Sequence, residues 1–501
     1  MQQRVSRRRR NLFYWVGIAS LVGGLLAVMW LSVQANGAPT GRNQGHSPGE
    51  NRSAFSEPSY HSQSMTATVY LPLVANNFPP PPPVFGVQMR AITDPQGLAQ
   101  AVDAGAHWVR FNAFNWDEIE PVRTEPPTYH WEVVDETSLD NAAANGMEVI
   151  AIIRFTPEWA QKVSGVYCGP VSEDRLDEFA QFLQELVRRY SVSPYNLHYW
   201  ELGNEPDVAP SLVGPHSGFG CWGDASDPFY GGGYYAQMLK VTYPAIKAVD
   251  PQARVLIGGL LLDCDPRVPG VCNGPHGDKP LKFLEGILRN GGGQFFDVVS
   301  FHAYTYYDWG AGLGYMGSNG WPGSVTAIPA KAGFVREVLA AYGYGEKRLM
   351  NTESALLCSE PATDCLKTQA MYVPRAYAEA LALGLEGQVY YATINDWWYH
   401  TGLLLPDLTP KPVYYAYKTA ASFLAPVKYD GEAADYPAEI EGYTFRREDE
   451  TGYIDVIWSV DGSAQDATVP TGASVYDQYG VLIASSGTIQ VNYSPVYVVR
   501  P

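Results

Sequence analysis

Eight short, continuous apolar runs, alternating with amphipathic stretches, constrain this chain more than any other feature. The runs lie at 84–88, 107–112, 148–154, 197–204, 254–259, 297–302, 348–352 and 387–392. None alternates polar with apolar residues, as a strand with one wet face would. Each therefore reads as a parallel strand buried on both faces. Helical stretches fall between them, near 95–104, 132–145, 172–190, 233–250, 280–290, 328–342, 366–383 and 412–423. The clearest is "SEDRLDEFAQFLQELVRRY" (172–190), where Leu176, Phe179, Leu183, Leu186, Val187 and Tyr190 recur at helical spacing. Ser172 is placed to cap it, ahead of an acidic first turn. Eight strands and eight helices in strict alternation predict an α/β chain folded as a (β/α)8 TIM barrel over 84–425. An open doubly wound sheet is the alternative, but the first strand-to-helix turn lacks the glycine-rich phosphate cradle of such folds.

After residue 425 the period changes. "AEIEGYTFRRE", "YIDVIWSV", "ASVYDQYG" and "TIQVNYSPVYVV" alternate with period two, and no helical pattern intervenes. Asp-Gly, Thr-Gly and Tyr-Gly pairs supply the turns. Residues 426–501 thus read as a small antiparallel β-sandwich, an accessory domain whose expected role is structural support.

The N-terminus opens with Arg4 and Arg7–Arg10, followed by an uncharged stretch from Asn11 to about Val33. Basic then apolar is the order of a secretory signal, yet the apolar run is also long enough to span a bilayer. Residues 1–35 are read as a signal peptide or a retained membrane anchor, so the protein is expected to be secreted or tethered outside the cell. Residues 36–83 lack hydrophobic periodicity and end in five prolines, which predicts a disordered, Pro-rich linker. Six cysteines in an exported chain point to disulfides. The short separations Cys264–Cys272 and Cys358–Cys365 invite local pairs, which leaves Cys168 with Cys221. No C-x-x-C or histidine spacing suggests a metal.

A net charge of −18, with five of the arginines confined to the extreme N-terminus, argues against nucleic acid as a partner. The 34 Tyr, 13 Trp and 18 Phe suit a large core or a groove on which sugar rings stack. A (β/α)8 barrel carries its active site at the C-terminal ends of its strands. Read in order, those ends present Gln88, Arg110 with Asn112, Arg154, Asn204 with Glu205, Leu260 beside two glycines, His302 with Tyr304, Glu353, and Asn395 to Trp398. Two glutamates, from the fourth and seventh strands, would thus face each other across one mouth. Paired carboxylates across a groove are what glycosidic bond cleavage requires, one protonated and one ionised. By strand alternation Glu201 and Glu205 should share a face, with Glu201 buried against an arginine. Arg154 is expected to be paired inside the barrel, and Trp398 to face the helices.

"WELGNEPD" resembles the fourth-strand motif of the clan A retaining glycoside hydrolases, and "RLMNTESAL" their seventh-strand segment. "FDVVSFHAY" and "HWVRFN" are similar to the sixth- and second-strand ends of the same clan. The order over 84–425, with the trailing β module, resembles family thirty-nine members, the β-xylosidase and iduronidase relatives. The resemblance implies Glu205 as acid/base and Glu353 as nucleophile. It also implies substrate contacts from Asn204, Arg110, His302, Tyr304 and Trp397, the last as a stacking platform. It implies a glycosidase acting as a monomer on a carbohydrate, with no cofactor or metal. Two other readings remain open at this point: a non-catalytic carbohydrate-binding surface protein on the same fold, and a transglycosylase using the same residues.

Overall fold

The computed structural model describes residues 83–501, apart from 309–311, 315, 318–319, 322–325, 396 and 450. The expected export segment (1–35) and residues 36–82 of the expected linker lie outside the described residues. All eight apolar runs are strands: β1 (Phe85–Gln88), β2 (Trp108–Asn115), β3 (Glu148–Arg154), β4 (Tyr199–Leu202), β5 (Arg254–Leu260), β6 (Val298–Tyr307), β7 (Arg348–Leu357) and β8 (Gln388–Tyr390). Each pairs in parallel with the next, and β8 pairs with β1, so the sheet closes into a barrel. A helix follows every strand: α1 (Leu98–Asp103), α2 (Glu136–Ala144), α3 (Leu176–Tyr190), α4 (Gly232–Val249), α5 (Phe283–Arg289), α6 (Ile328–Ala341), α7 (Thr363–Ala382) and α8 (Pro412–Leu424).

The buried stripe of α3 includes all six of its predicted apolar positions. Its predicted cap is corrected. Ser172 precedes a 3-10 turn at Glu173–Arg175, makes no side-chain cap, and instead donates its hydroxyl to Asp174. The side chain is taken by that carboxylate, so α3 starts only at Leu176.

Inside the barrel, side chains stack by the period-two rule. Trp108, Ile150, Leu256, Val298, Met350 and Val389 form a dry layer at the base. Two residues further along their strands sit Arg110, Ser300 and Thr352, which with Glu201 make a buried polar layer. The barrel therefore grades from apolar base to polar mouth.

The C-terminal strands are β9 (Val427–Glu432), β10 (Ile440–Arg447), β11 (Tyr453–Ser459), β12 (Gln465–Thr468), β13 (Ser474–Tyr476), β14 (Leu482–Ala484), β15 (Thr488–Val491) and β16 (Val496–Arg500). They form a six-stranded sheet in the order β9-β10-β11-β16-β13-β14 and a two-stranded sheet of β12 with β15. Ile457, Val475, Val491 and Val498 fill the space between them. Phe423 of α8 stacks on Tyr497 of β16, and Arg375 of α7 donates to the Tyr493 carbonyl, which seats the sandwich on the barrel.

The three disulfides are Cys168–Cys221, Cys264–Cys272 and Cys358–Cys365. They fit an oxidising, extracellular environment. Among the described residues no helix is long and apolar enough to cross a membrane.

Candidate active site

Glu205 does not sit in β4. The strand ends at Leu202, and the chain then turns through left-handed backbone at Gly203 (φ 90°) and Glu205 (φ 52°). The alternation argument thus stops short of Glu205, because two positive-φ residues break the period. Glu201 points into the barrel, while Glu205 stands at its mouth. The turn is held by Glu205 N–H to the Gly259 carbonyl (3.0 Å) and by Val208 N–H to the Glu205 carbonyl (3.1 Å). Asp207 fastens it to the loop after β5 by accepting from the N–H groups of Leu261 (2.9 Å) and Leu262 (3.1 Å). A non-glycine residue in this region is strained, and such strain persists only where its surroundings over-determine it.

Glu353 arrives by a different device. Opposite β6, Phe301 pairs with Asn351 but His302 pairs with Glu353, so Thr352 is an extra residue on β7. In a regular strand Thr352 and Glu353 would face opposite ways. The bulge lets Thr352 donate inward to Glu201 (2.9 Å) while Glu353 also faces the mouth.

Arg110 joins the polar layer to the site. Its Nε donates to Glu201 Oε2 (2.6 Å), Nη1 to Gln88 Oε1 (2.8 Å) and to Glu353 Oε1, and Nη2 to Asn204 Oδ1 (2.7 Å). The second oxygen of Glu201 accepts from Ser300 (2.8 Å) and Thr352. A fully buried guanidinium is thus matched by two carboxylates whose oxygens all accept hydrogen bonds, the condition under which a buried ion pair is tolerated. Tyr304 donates its hydroxyl to Glu353 Oε2. His302, fully buried, has Nδ1 2.8 Å from Glu205 Oε1 and 3.6 Å from Glu353 Oε2. Its Nε2 has no hydrogen-bond partner among the described residues, and it packs where only Gly259 fits: a Cβ there would lie 2.1 Å from it. Placing the proton on Nδ1, donating to Glu205 Oε1, leaves a lone pair rather than an N–H without a partner at Nε2, and the tautomer is assigned on that ground. Burial, with Arg110 and Lys331 nearby, holds the imidazole neutral by pushing its pKa well down.

The two carboxyls have unequal surroundings. Burial raises both. Glu205 is pushed further up by the negative charges of Glu353 and Asp207, which favour its protonated form. Glu353 is drawn back toward the charged form by Arg110 and the Tyr304 hydroxyl. Donor atoms of Glu205, His302 and Glu353 all lie within 4.8 Å of one another. In chemistry this set can offer a proton from one carboxyl and a lone pair from the other.

A cavity of about 600 Å³ covers the pair, and Arg110, Asn204, Glu205, Tyr304, Glu353 and Trp397 all line it. His302 lies behind its wall. Trp397 is 53% exposed and lines the cavity at its mouth. Two expectations are corrected. Trp398 does not face the helices: it packs edge-on against Tyr304 (5.2 Å) and Tyr391 (5.3 Å) and lines the cavity. Its backbone N–H is held by Asn395, which swings the ring inward. Among the described residues Arg154 makes no ion pair: it donates to Asn115 (3.2 Å), lies over Phe155, and faces the cavity. Asp117 and Glu118 supply its nearest negative charge from beyond ion-pair reach. The reading by strand ends also missed Asp207, Tyr391 and Lys331. Tyr391 directly follows β8 and Asp207 lies five residues past the end of β4, in the turn that carries Glu205, so both could have been read there. Lys331 sits in an apolar stretch of α6 and carried no signal.

No family model and no curated protein matches the sequence. Solved structures do match in three dimensions. A family 39 glycoside hydrolase from Bacteroides cellulosilyticus WH2 superposes with a TM-score of 0.62 at 19% identity, over 84% of this chain and 81% of that one. This chain has its fold. A family 30 endoxylanase from Clostridium papyrosolvens C71 gives 0.54 at 14% identity, over 83% and 95%. A glucosidase from Croceicoccus marinus gives 0.53 at 15%, over 84% and 95%.

Proposed function

We propose that this chain is a retaining glycoside hydrolase that cleaves O-glycosidic bonds of an oligo- or polysaccharide by double displacement. One observation carries the reading: Glu205 and Glu353 face each other with oxygens within 4.8 Å, yet only Glu353 has a cation and a phenol on it. Carboxyl groups about 5–5.5 Å apart suit direct attack on the sugar, whereas about 6.5–9.5 Å leaves room for a water. Glu353 attacks the anomeric carbon as Glu205 passes its proton to the departing oxygen. A water, deprotonated by Glu205, then releases the sugar from Glu353. Arg110 and Tyr304 hold the nucleophile charged and aimed. Asn204, its Oδ1 fixed by Arg110, presents its amide to the sugar 2-hydroxyl, and Trp397 stacks beneath the ring. His302 keeps Oε1 of Glu205 as an acceptor, so the transferable proton sits on the other oxygen. The descriptions of the three solved structures, all hydrolases of glycosides, support the same class. The basic and apolar N-terminal run, together with the disulfides, supports export, either by a cleaved signal or on a retained anchor.

The test is the configuration of the first product. With p-nitrophenyl glycosides as substrates, proton NMR of the early reaction is expected to show the substrate's own anomer before mutarotation. First appearance of the opposite anomer would refute double displacement.

Activity is also expected to depend on pH as a bell. It falls on the acid side as Glu353 is protonated and on the alkaline side as Glu205 loses its proton. Because burial lifts Glu205 well above the usual carboxyl range, the alkaline limb lies well above pH 4.5. Profiles of kcat/KM that lack an alkaline limb would contradict the assignment.

A further inference from the structure

The arc of the mouth between β4 and β6 holds charged groups that the mechanism does not use. Lys331, on α6, is 6% exposed and lines the cavity. Its Nζ donates to the carbonyls of Leu261 (2.8 Å) and His302 (2.7 Å), which leaves one of its three N–H bonds uncommitted. Asp263, in the loop after β5, lines the same cavity, and its buried Oδ1 has no hydrogen-bond partner. The two feel each other's charge, yet among the described residues no carboxylate comes within 4.0 Å of Nζ. Neither group neutralises the other by contact. A donor and an acceptor thus border the same cavity.

The position of this pair relative to the chemistry is set by the strands. Lys331 is bonded to the His302 carbonyl, and His302 touches Glu205. Asp207 ties Glu205 to Leu261 and Leu262, immediately before Asp263. Trp397, Trp398, Gln88 and Arg154 occupy the opposite arc, from β8 through β1 to β3. Glu205 delivers its proton to the leaving oxygen, so the leaving group must lie on the Glu205 side. The ring stacked on Trp397 is then the glycone.

We propose that Lys331 and Asp263 form a subsite for the leaving group and read a sugar hydroxyl there. A hydroxyl accepts one hydrogen bond and donates another, so a sugar hydroxyl can satisfy the ammonium and the carboxylate together. A nitrophenyl or alkyl leaving group offers no such donor. The inference rests on the glycosidase reading and deepens it: Lys331 and Asp263 are the residues that recognise the sugar on the reducing side of the scissile bond.

The experiment compares two substrates with the same glycone, a p-nitrophenyl glycoside and a disaccharide, in wild type, Asp263→Ala and Asp263→Asn. The readout is the ratio of kcat/KM on the disaccharide to kcat/KM on the aryl glycoside. Losing a hydrogen bond to a charged group is expected to lower that ratio about 10- to 100-fold in Asp263→Ala, and by less in Asp263→Asn, which keeps an acceptor oxygen. A general disturbance of the fold would depress both substrates alike and leave the ratio where it was. An unchanged ratio in both variants overturns the subsite while the glycosidase reading stands. Failure of the wild type to cleave any member of either substrate class overturns the glycosidase reading and the subsite with it.

Discussion

Glu353→Gln is expected to lose turnover of aryl glycosides by a factor on the order of 10⁴ to 10⁶, with the fold intact. The amide matches the carboxylate in shape and can still accept from Arg110 and meet the Tyr304 hydroxyl. What it lacks is the negative charge that attacks the anomeric carbon. Arg110 keeps Glu201, Gln88 and Asn204 as partners, so the substitution does not strand a buried cation, which would itself destabilise the barrel by several kcal/mol (about 3–5). Thermal unfolding close to that of wild type, alongside the kinetic loss, separates chemistry from folding. Wild-type turnover in this variant would sink the mechanism.

Glu205→Ala is expected to behave differently with different leaving groups. On saccharides, whose departing alkoxide needs a proton, the loss is on the order of 10² to 10⁴. On dinitrophenyl glycosides the first step needs little help, and release of the sugar from Glu353 becomes limiting because no base activates water. Removing the side chain leaves room beside that intermediate for a small anion. Added azide is therefore expected to restore turnover and to yield a glycosyl azide with the substrate's own configuration. Such rescue is specific to a missing acid/base, since azide cannot replace a residue that only holds the fold. A glycosyl azide of inverted configuration, or no rescue at any concentration, would remove Glu205 from the role.

Much of the architecture follows from periodicity alone. Runs such as "EVIAIIR" and "RVLIGG" are apolar on both faces, which only a strand covered on both sides can satisfy, and the helical stretches between them supply the cover. The switch to period two after residue 425 is equally local, and it marks the sandwich. Convergence of Glu205 and Glu353 on one mouth also follows from the sequence, because strand order in a closed barrel puts the ends of β4 and β7 across from each other.

What strand periodicity could not reach is every place where the backbone leaves regular geometry. Alternation put Glu205 on the same face as Glu201, whereas left-handed backbone at Gly203 and Glu205 ends that period and sets Glu205 by the turn. The inward direction of Glu353 depends on a bulge whose existence is a matter of register with β6, and register belongs to pairs of strands rather than to one. Arg154 and Trp398 were misjudged for the same cause: the orientation of a residue at a strand end is set by the loop it meets there. Lys331 was illegible because its place at the cavity is set by two carbonyls on other elements. Local sequence determined which segments are strands, which are helices, and which carboxylates could meet, since propensity and apolar pattern act over a few residues. The tertiary structure alone decided the surroundings of each carboxyl, because these depend on Arg110, Tyr304, His302 and the exclusion of water, all assembled from strands far apart in the chain.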